Sequence, residues 1–508
     1  MERNPKTLYY RTCDFTNKKT LSQYHKDHPF PVYSPEAWWS EKWDPLKHGQ
    51  SFDFNRPFFE QFLELKNKVP HLSLFNTVGT IENSDYNNCT AYLKNCYLLA
   101  ESDYCDECYY SNLLKKCDSV VDCSVCYGSE LCYECVDCTN GYNLRYSQDS
   151  KNCTDSYFLK NCMSCSDCIG CINQRQKQYM IFNKQYSKED YEKFRQQFQL
   201  HTKTGIKKLE KTCADFFQTQ PHKAVISEKN QNSQGDHLFN SKNAFQCFDS
   251  VDLEDCTYCA KLSLGVKTSM DYNSWGNNAE LMYQSSACGD HCYNLKFCTN
   301  CQTNMNNCDY CAGCFSSSDC FGCVGLKREK FCILNTKYSE EDYYILKKKI
   351  IEHMKRTGEY GEFFPVEACP FGYNETMAMD TFPLTKEAAL SQGFKWHDEP
   401  PPTTSSQTYS TPNSISDVPD RITTELLQCD CGRNFKIIAQ ELAFYKKLDI
   451  PVPGKCPSCR HGSRMEKRNP LKLWNRSCSS CKNPIQTNYS PQRKETIYCE
   501  SCYLETVY

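Results

Sequence analysis

The most regular feature of this chain is the recurrence of small, weakly polar positions at multiples of three residues. All fourteen cysteines from Cys96 to Cys171 fall at residue numbers divisible by three, and Cys117, Cys135, Cys153 and Cys171 stand eighteen apart. A fixed period of this kind predicts stacked coils, with one interior position recurring once per turn of a β-solenoid. Cysteine suits such an interior, being small and readily buried. The Asn and Asp of LKNC, NNC and SDC suit the corners, because their side chains bond local backbone and tolerate unusual dihedrals. An eighteen-residue coil gives about six turns in the first cysteine-rich block.

Two such blocks, 76–186 and 236–338, are related by an offset of 152 residues that places Cys162, Cys168 and Cys171 on Cys314, Cys320 and Cys323. The likeness runs on from QYMIFNKQYSKEDYEKF to KFCILNTKYSEEDYYIL. Each copy ends in a helix-start signature, Ser187 with Asp190 and Ser339 with Asp342, followed by an apolar stripe: Tyr191, Phe194 and Phe198, or Leu346, Ile350 and Met354. The expectation is a helix that caps each stack, with connectors over 187–235 and 339–398. Ahead of the blocks lies an aromatic-rich head, 1–75, with a helix in which Pro57 takes the first position and Phe58, Phe62 and Leu65 share a face. A Pro/Ser/Thr stretch, 399–420, reads as an extended linker to the tail.

Composition sharpens this picture. The chain has 508 residues, 39 of them cysteine, and a net charge of -3. Several domains are expected at this length. The N-terminus lacks a signal-peptide pattern and no apolar run is long enough to span a bilayer, so the expected compartment is the cytoplasm, with reduced thiols. In 421–508, 15 Lys/Arg stand against 8 Asp/Glu, a balance of +7 that leaves -10 on the first 420 residues.

The tail carries the clearest chemistry. Cys478, Cys481, Cys499 and Cys502 form two CxxC pairs with a polar, strand-forming insert, the pattern of a zinc ribbon over 471–508. Cys429, Cys431, Cys456 and Cys459 frame a helix in AQELAFYKKL and begin another, as in a treble-clef zinc module over 421–470. Four thiolates fill a tetrahedral shell, so two structural Zn2+ ions are expected and His461 is read as a surface residue. Sliding the ribbon by 465 positions sets Arg476, Cys478, Tyr489 and Tyr498 on Arg11, Cys13, Tyr24 and Tyr33, while the other ligand positions become Thr16, Ser34 and Ala37. The head thus reads as a degenerate ribbon.

The strings RTCD, WWSEKWDP and RPFFEQF, the FGC-containing middle and LAFYKKLDIPVPGKCPSCRHGSRMEKRNPLKLWNR together resemble uncharacterised cysteine-rich zinc-ribbon proteins of candidate-phyla bacteria. The resemblance implies zinc and this layout, with no activity attached. Members of that group often carry paired cysteines where this head has Thr16, Ser34 and Ala37.

No P-loop, GxSxG, HExxH or dinucleotide fingerprint occurs, which points away from familiar catalysis, and no catalytic residue or small-molecule substrate is inferred. The expectation is a mainly β, multidomain, non-enzymatic scaffold or adaptor whose partner is a protein, RNA or single-stranded DNA, with no membrane involved. A nucleic acid would meet Arg460, Arg464, Lys467, Arg468, Lys472, Trp474 and Arg476, where cations and an aromatic ring lie close together. The alternative is a redox or electron-transfer protein with iron–sulfur clusters in the CxxC runs of the blocks, although the bacterial ferredoxin spacing is absent.

Overall fold

A computed structural model of the chain describes residues 3–276, 282–289, 295–398 and 409–507. It is mainly β, with thirty short strands and ten α-helices among those residues. In block one, parallel bridges join Asp85, Tyr97, Tyr109, Val121, Tyr133, Arg145, Tyr157 and Ile169, so the chain returns to the same lateral position every twelve residues. The period is therefore twelve and not eighteen, and one column climbs eight rungs where about six turns were expected. Interior positions recur every third residue, so cysteines coincide at every multiple of three. The eighteen-residue series from Cys117 to Cys171 spans one and a half turns per step and alternates between opposite walls.

Each triplet has a fixed division of labour. Tyr92, Asn95, Leu98, Glu101 and Tyr104 all have φ between 51° and 56°. The residue that follows each such bend points inward: Leu93, Cys96, Leu99, Ser102 and Cys105 are all buried. A left-handed bend costs an ordinary L-residue about 1–2 kcal/mol, least for Asn and Asp. Asparagine ladders offset part of that cost, with Asn140 donating to Asn152 at 3.0 Å and Asn143 to Asp155 at 2.7 Å across one turn.

The same geometry explains the cysteines. Bridge and corner amides find backbone carbonyls on adjacent turns, as in Tyr97 N to Cys108 O and Leu98 N to Asp85 O, both 3.0 Å. Interior amides turn to the side chain one rung back: Cys135 N bonds Cys123 Sγ at 3.3 Å, and Cys168 N bonds Ser156 Oγ at 3.0 Å. The same thiols donate onward, Cys123 Sγ to Val121 O at 3.4 Å. A residue that is small, accepts one bond and donates another satisfies this interior, and cysteine and serine do both. No described cysteine forms a disulfide.

Block two follows the same rule with some thirteen-residue turns, such as Glu254 against Lys267 and Ser269 against Met282. Its ladder begins at Ser227–Glu228, ahead of the expected 236. Cys256 and Cys292 stand two eighteen-residue steps apart in the sequence, and Cys292 lies outside the described residues. Both helix-start signatures form, with Ser187 Oγ and Ser339 Oγ each accepting the amide three residues on at 3.1 Å. The helices Lys188–Gln197 and Glu340–Thr357, however, do not cap the stacks. Tyr191 packs on Tyr157, Ile169 and Ile181, one column of the side wall. The last parallel rung instead turns back into an antiparallel hairpin, Ile181 against Lys184 in block one and Ile333 against Thr336 in block two. Flanking side walls are apolar while the stack ends are closed by backbone, so the helices go to the side.

A second layer of packing crosses between the repeats. The helix Phe58–Lys68 has Pro57 at its N-cap rather than at its first position, and buries Phe58, Phe62 and Leu65 against Tyr310, Phe321 and Ile333 of block two. The helix Lys203–Gln218 buries Ile206, Leu209 and Cys213 against Phe158, Ile169 and Ile181 of block one. Each helix that precedes a block therefore covers the other block. The expected extended linker lies outside the described residues through 408, and beyond it Ile415 and Val418 are buried and Lys203 N bonds Asn413 O at 2.9 Å, so this half packs on the body.

Cys123→Ala should lower unfolding free energy by about 1–3 kcal/mol, because it leaves the Cys135 amide unpaired, whereas Cys123→Ser should cost less. Urea titration of the two variants checks this.

Candidate metal centres

The first tetrad is assembled by a turn and a helix start. Leu427–Gln428 pairs antiparallel with Asn434–Phe435, and Gly432, at φ 84°, lets the turn between them bring Cys429 and Cys431 to one side. Only a residue without a Cβ adopts that dihedral freely. Cys456 is the N-cap of the helix Pro457–Met465 and Cys459 lies in its first turn. The four sulfurs lie within 4.8 Å of one another, and Cys431 Sγ is 3.8 Å from Cys456 Sγ.

The second tetrad joins the hairpin Trp474–Ser477 with Pro484–Thr487 to the helix Glu500–Val507. Its sulfurs also lie within 4.8 Å of one another, with Cys481 Sγ 3.8 Å from Cys499 Sγ. A zinc ion bonded to four sulfurs at about 2.3 Å requires sulfur–sulfur edges of about 3.8 Å. The donor chemistry and the spacing therefore fit a tetrahedral thiolate metal at both sites. Burial raises the Cys478 thiol, but the Cys499 and Cys481 amides outweigh it and bring it down to about 6. Burial likewise opposes, and the Cys431 and Cys456 amides impose, a fall to about 7 at Cys429. These amides stabilise thiolate, the form that ligates.

The head repeats the ribbon bond for bond at the 465 offset. Cys13 N bonds Lys18 O and Cys478 N bonds Asn483 O, each at 2.8 Å. Ser34 N reaches Cys13 Sγ at 3.2 Å where Cys499 N reaches Cys478 Sγ at 3.3 Å. The docking partners repeat too: Val32 lies opposite His71 in one parallel pair and Ile497 opposite His222 in the other. Tyr24 packs on His71 and Tyr489 on His222, with ring centroids 5.6 and 5.7 Å apart. With one thiol among four ligand positions, the head lacks the donors for a zinc shell.

Three arginines of the basic segment face carboxylates of the protein itself. Arg460, 3% exposed, lies 3.1 Å from both Asp122 Oδ1 and Glu441 Oε1. Arg464, 1% exposed, meets Asp122 at 3.0 Å, donates to Tyr110 O at 3.1 Å and lies 3.5 Å from Glu134. Arg468 grips Asp137 with Nε and Nη2 at 2.8 and 3.0 Å, and Asp249 with Nη2 and Nη1 at 2.6 and 3.2 Å. Lys467 reaches Glu134 at 4.0 Å, and Arg476 donates to Ser490 O at 3.2 Å. Lys472 is exposed over the half-buried Trp474. Burying a guanidinium is tolerable only with such partners, so the -10 body and the +7 tail neutralise each other internally. His461 is not a free surface residue either, since it lies 3.2 Å from Asp380, which also pairs with Lys6.

One cluster had no sequence signal. His237 of block two bonds Asp236 at 2.7 Å and Asp149 of block one at 2.8 Å, with Asp137 at 3.9 Å. Burial alone lowers its imidazole, but Asp236 and Asp137 more than reverse this and hold it well above its usual value. Its ligand-like neighbours are about ninety to a hundred residues away in sequence, and no spacing motif joins them.

No known family model matches the chain, and no curated protein matches it. Among solved structures, one described as an acetyltransferase from Desulfovibrio desulfuricans G20 aligns at 10% identity over 62% of this chain and 90% of its own. The TM-score is 0.11, too low to carry an argument about fold or function. No helix among the described residues is long and apolar enough to cross a membrane.

Arg464→Ala should cost about 1–3 kcal/mol of tail stability, because Asp122 then keeps only Arg460 and Glu134 only the more distant Lys467 in a buried site; hydrogen exchange across a urea series reads this. His237 should remain protonated at pH 7. Its contribution to stability is full below about 6.5 and declines only as pH rises through the higher folded value, which an imidazole NMR titration checks.

Proposed function

We propose that this protein is a non-enzymatic, zinc-stabilised scaffold or adaptor that offers its long stacked walls to a protein partner. In this reading the blocks are square-sectioned β-solenoids of twelve-residue coils. The first tail module is a treble-clef-like zinc unit, the second a zinc ribbon, and the head a ribbon that has lost its metal. The observation that carries the reading is the convergence of eight thiols into two tetrads with zinc-sized edges. Complete four-thiolate shells leave no open coordination position, which favours structural over catalytic zinc.

A protein partner is favoured over nucleic acid because Arg460, Arg464 and Arg468 already face carboxylates. Many free thiols suit a reducing cytoplasm. The iron–sulfur alternative finds less support, since the interior thiols donate to backbone carbonyls and converge in no group of three among the described residues.

Metal analysis of the intact chain purified without oxygen should return about two zinc ions per chain from a colourless protein. A brown protein with iron and sulfide would overturn the reading, as would a chain without zinc.

A further inference from the structure

The first tetrad sits at a mechanical junction. Its ligand Cys456 begins the nine-residue helix Pro457–Met465, which is too short to persist without support. Along this helix and its continuation, Arg460, Arg464 and Arg468 recur every four residues and so share one face. That face lies along the wall of block one, where Asp122 and Glu134 are one turn apart on the same corner. Beyond the helix end, Arg468 holds Asp137 of block one and Asp249 of block two in the same guanidinium. The other ligand pair is rooted in an apolar cluster in which Leu427, Cys429, Phe435, Leu442 and Tyr445 pack on Tyr109, Tyr110, Val121 and Tyr133 of block one. A metal bonded to all four sulfurs would weld the arginine-bearing helix to this cluster.

We propose that the metal of the first tetrad is the lock of a clasp that holds the tail, block one and block two together, and that its release uncovers the aromatic corner of block one as a binding surface. This rests on the zinc reading above. The second tetrad has a different task, because its ribbon docks on Pro221–Lys223 and, through Tyr503, on Asn161 and Asn173. The two sites are therefore functionally distinct although chemically alike. A module of this size needs its metal to fold, so removing the first metal loosens both Arg460, whose guanidinium covers Tyr110, and the helix Ala439–Lys447, whose Phe444 and Tyr445 cover Tyr133. The face it exposes carries Tyr109, Tyr110 and Tyr133 beside Asp122, Glu134 and Asp137, and so fits a partner that presents basic residues at helical spacing, as the tail itself does.

The test uses the full chain and hydroxyl-radical footprinting of Tyr110 and Tyr133, now 5% and 3% exposed. Cys456→Ser with Cys459→Ser should lose one zinc and raise oxidation of both tyrosines at least tenfold. Serine is itself a good N-cap, so helix capping is not what is lost. Cys499→Ser with Cys502→Ser should lose the other zinc and leave both tyrosines protected. Arg468→Met should retain both zinc ions while increasing the radius of gyration by X-ray scattering as the blocks separate. Should a variant fold poorly, chelation of the native chain followed by zinc return should expose and then re-cover the same tyrosines. Protection that persists with the first site emptied overturns the clasp, as does equal exposure on emptying the second. A native chain without zinc would instead sink the parent reading.

Discussion

The structure depends on how a very tight coil satisfies its inward-facing amides. With a bend at every third residue, two of each three amides reach a backbone carbonyl on an adjacent turn, one ahead and one behind, and the third points into a space too narrow for another strand. An unpaired buried amide costs about 1–3 kcal/mol, and each block contains many such positions. The side chain one rung back is the available partner, and it must be small enough to stack on its own kind. Thiols and hydroxyls meet both demands. Cysteine in the blocks therefore serves the coil interior, where Cys123 and Cys153 accept an amide and others donate to carbonyls, apart from the tail thiols that could hold a metal.

A stack of this kind has apolar side walls that it cannot cover alone. The covering helices come from the wrong repeat: Phe58–Lys68 precedes block one in sequence but lies on block two, and Lys203–Gln218 precedes block two but lies on block one. Corresponding wall residues confirm that the two surfaces are equivalent, since Phe158, Ile169, Ile181 and Tyr191 match Tyr310, Phe321, Ile333 and Tyr343 at the 152 offset. Each covering helix in turn carries a short strand that holds a ribbon, the head on His71 and the tail on His222. The head fills its place without a metal shell, and its Trp38, 2% exposed, packs on Phe315 where Tyr503 of the tail ribbon bonds Asn161 and Asn173. Aromatic packing thus holds the head where the other copy carries a cysteine tetrad that could take a metal.

Electrostatics completes the assembly. A basic segment in an acidic protein reads as a surface for polyanions, yet here the polyanion is the protein. Carboxylates projecting from successive coils meet arginines from successive helical turns, and the bidentate geometry of Arg468 ties two blocks through one side chain. Lysine at that position would lack the fork that reaches both carboxylates at once.

Local rules in the sequence determined the three-residue rhythm, the 152-residue duplication, the serine helix starts, the two cysteine tetrads that could hold a metal and the likeness between head and tail, because each depends on neighbours a few residues apart or on direct self-comparison. Tertiary structure decided the rest. Four bends rather than six close a coil, a matter of bend angle that cysteine spacing leaves open, since every multiple of three looks alike. The side-wall position of the helices, the exchange between repeats and the burial of Arg460, Arg464 and Arg468 all arise between segments that no local sequence window joins, where shape and charge complementarity act only once both surfaces exist.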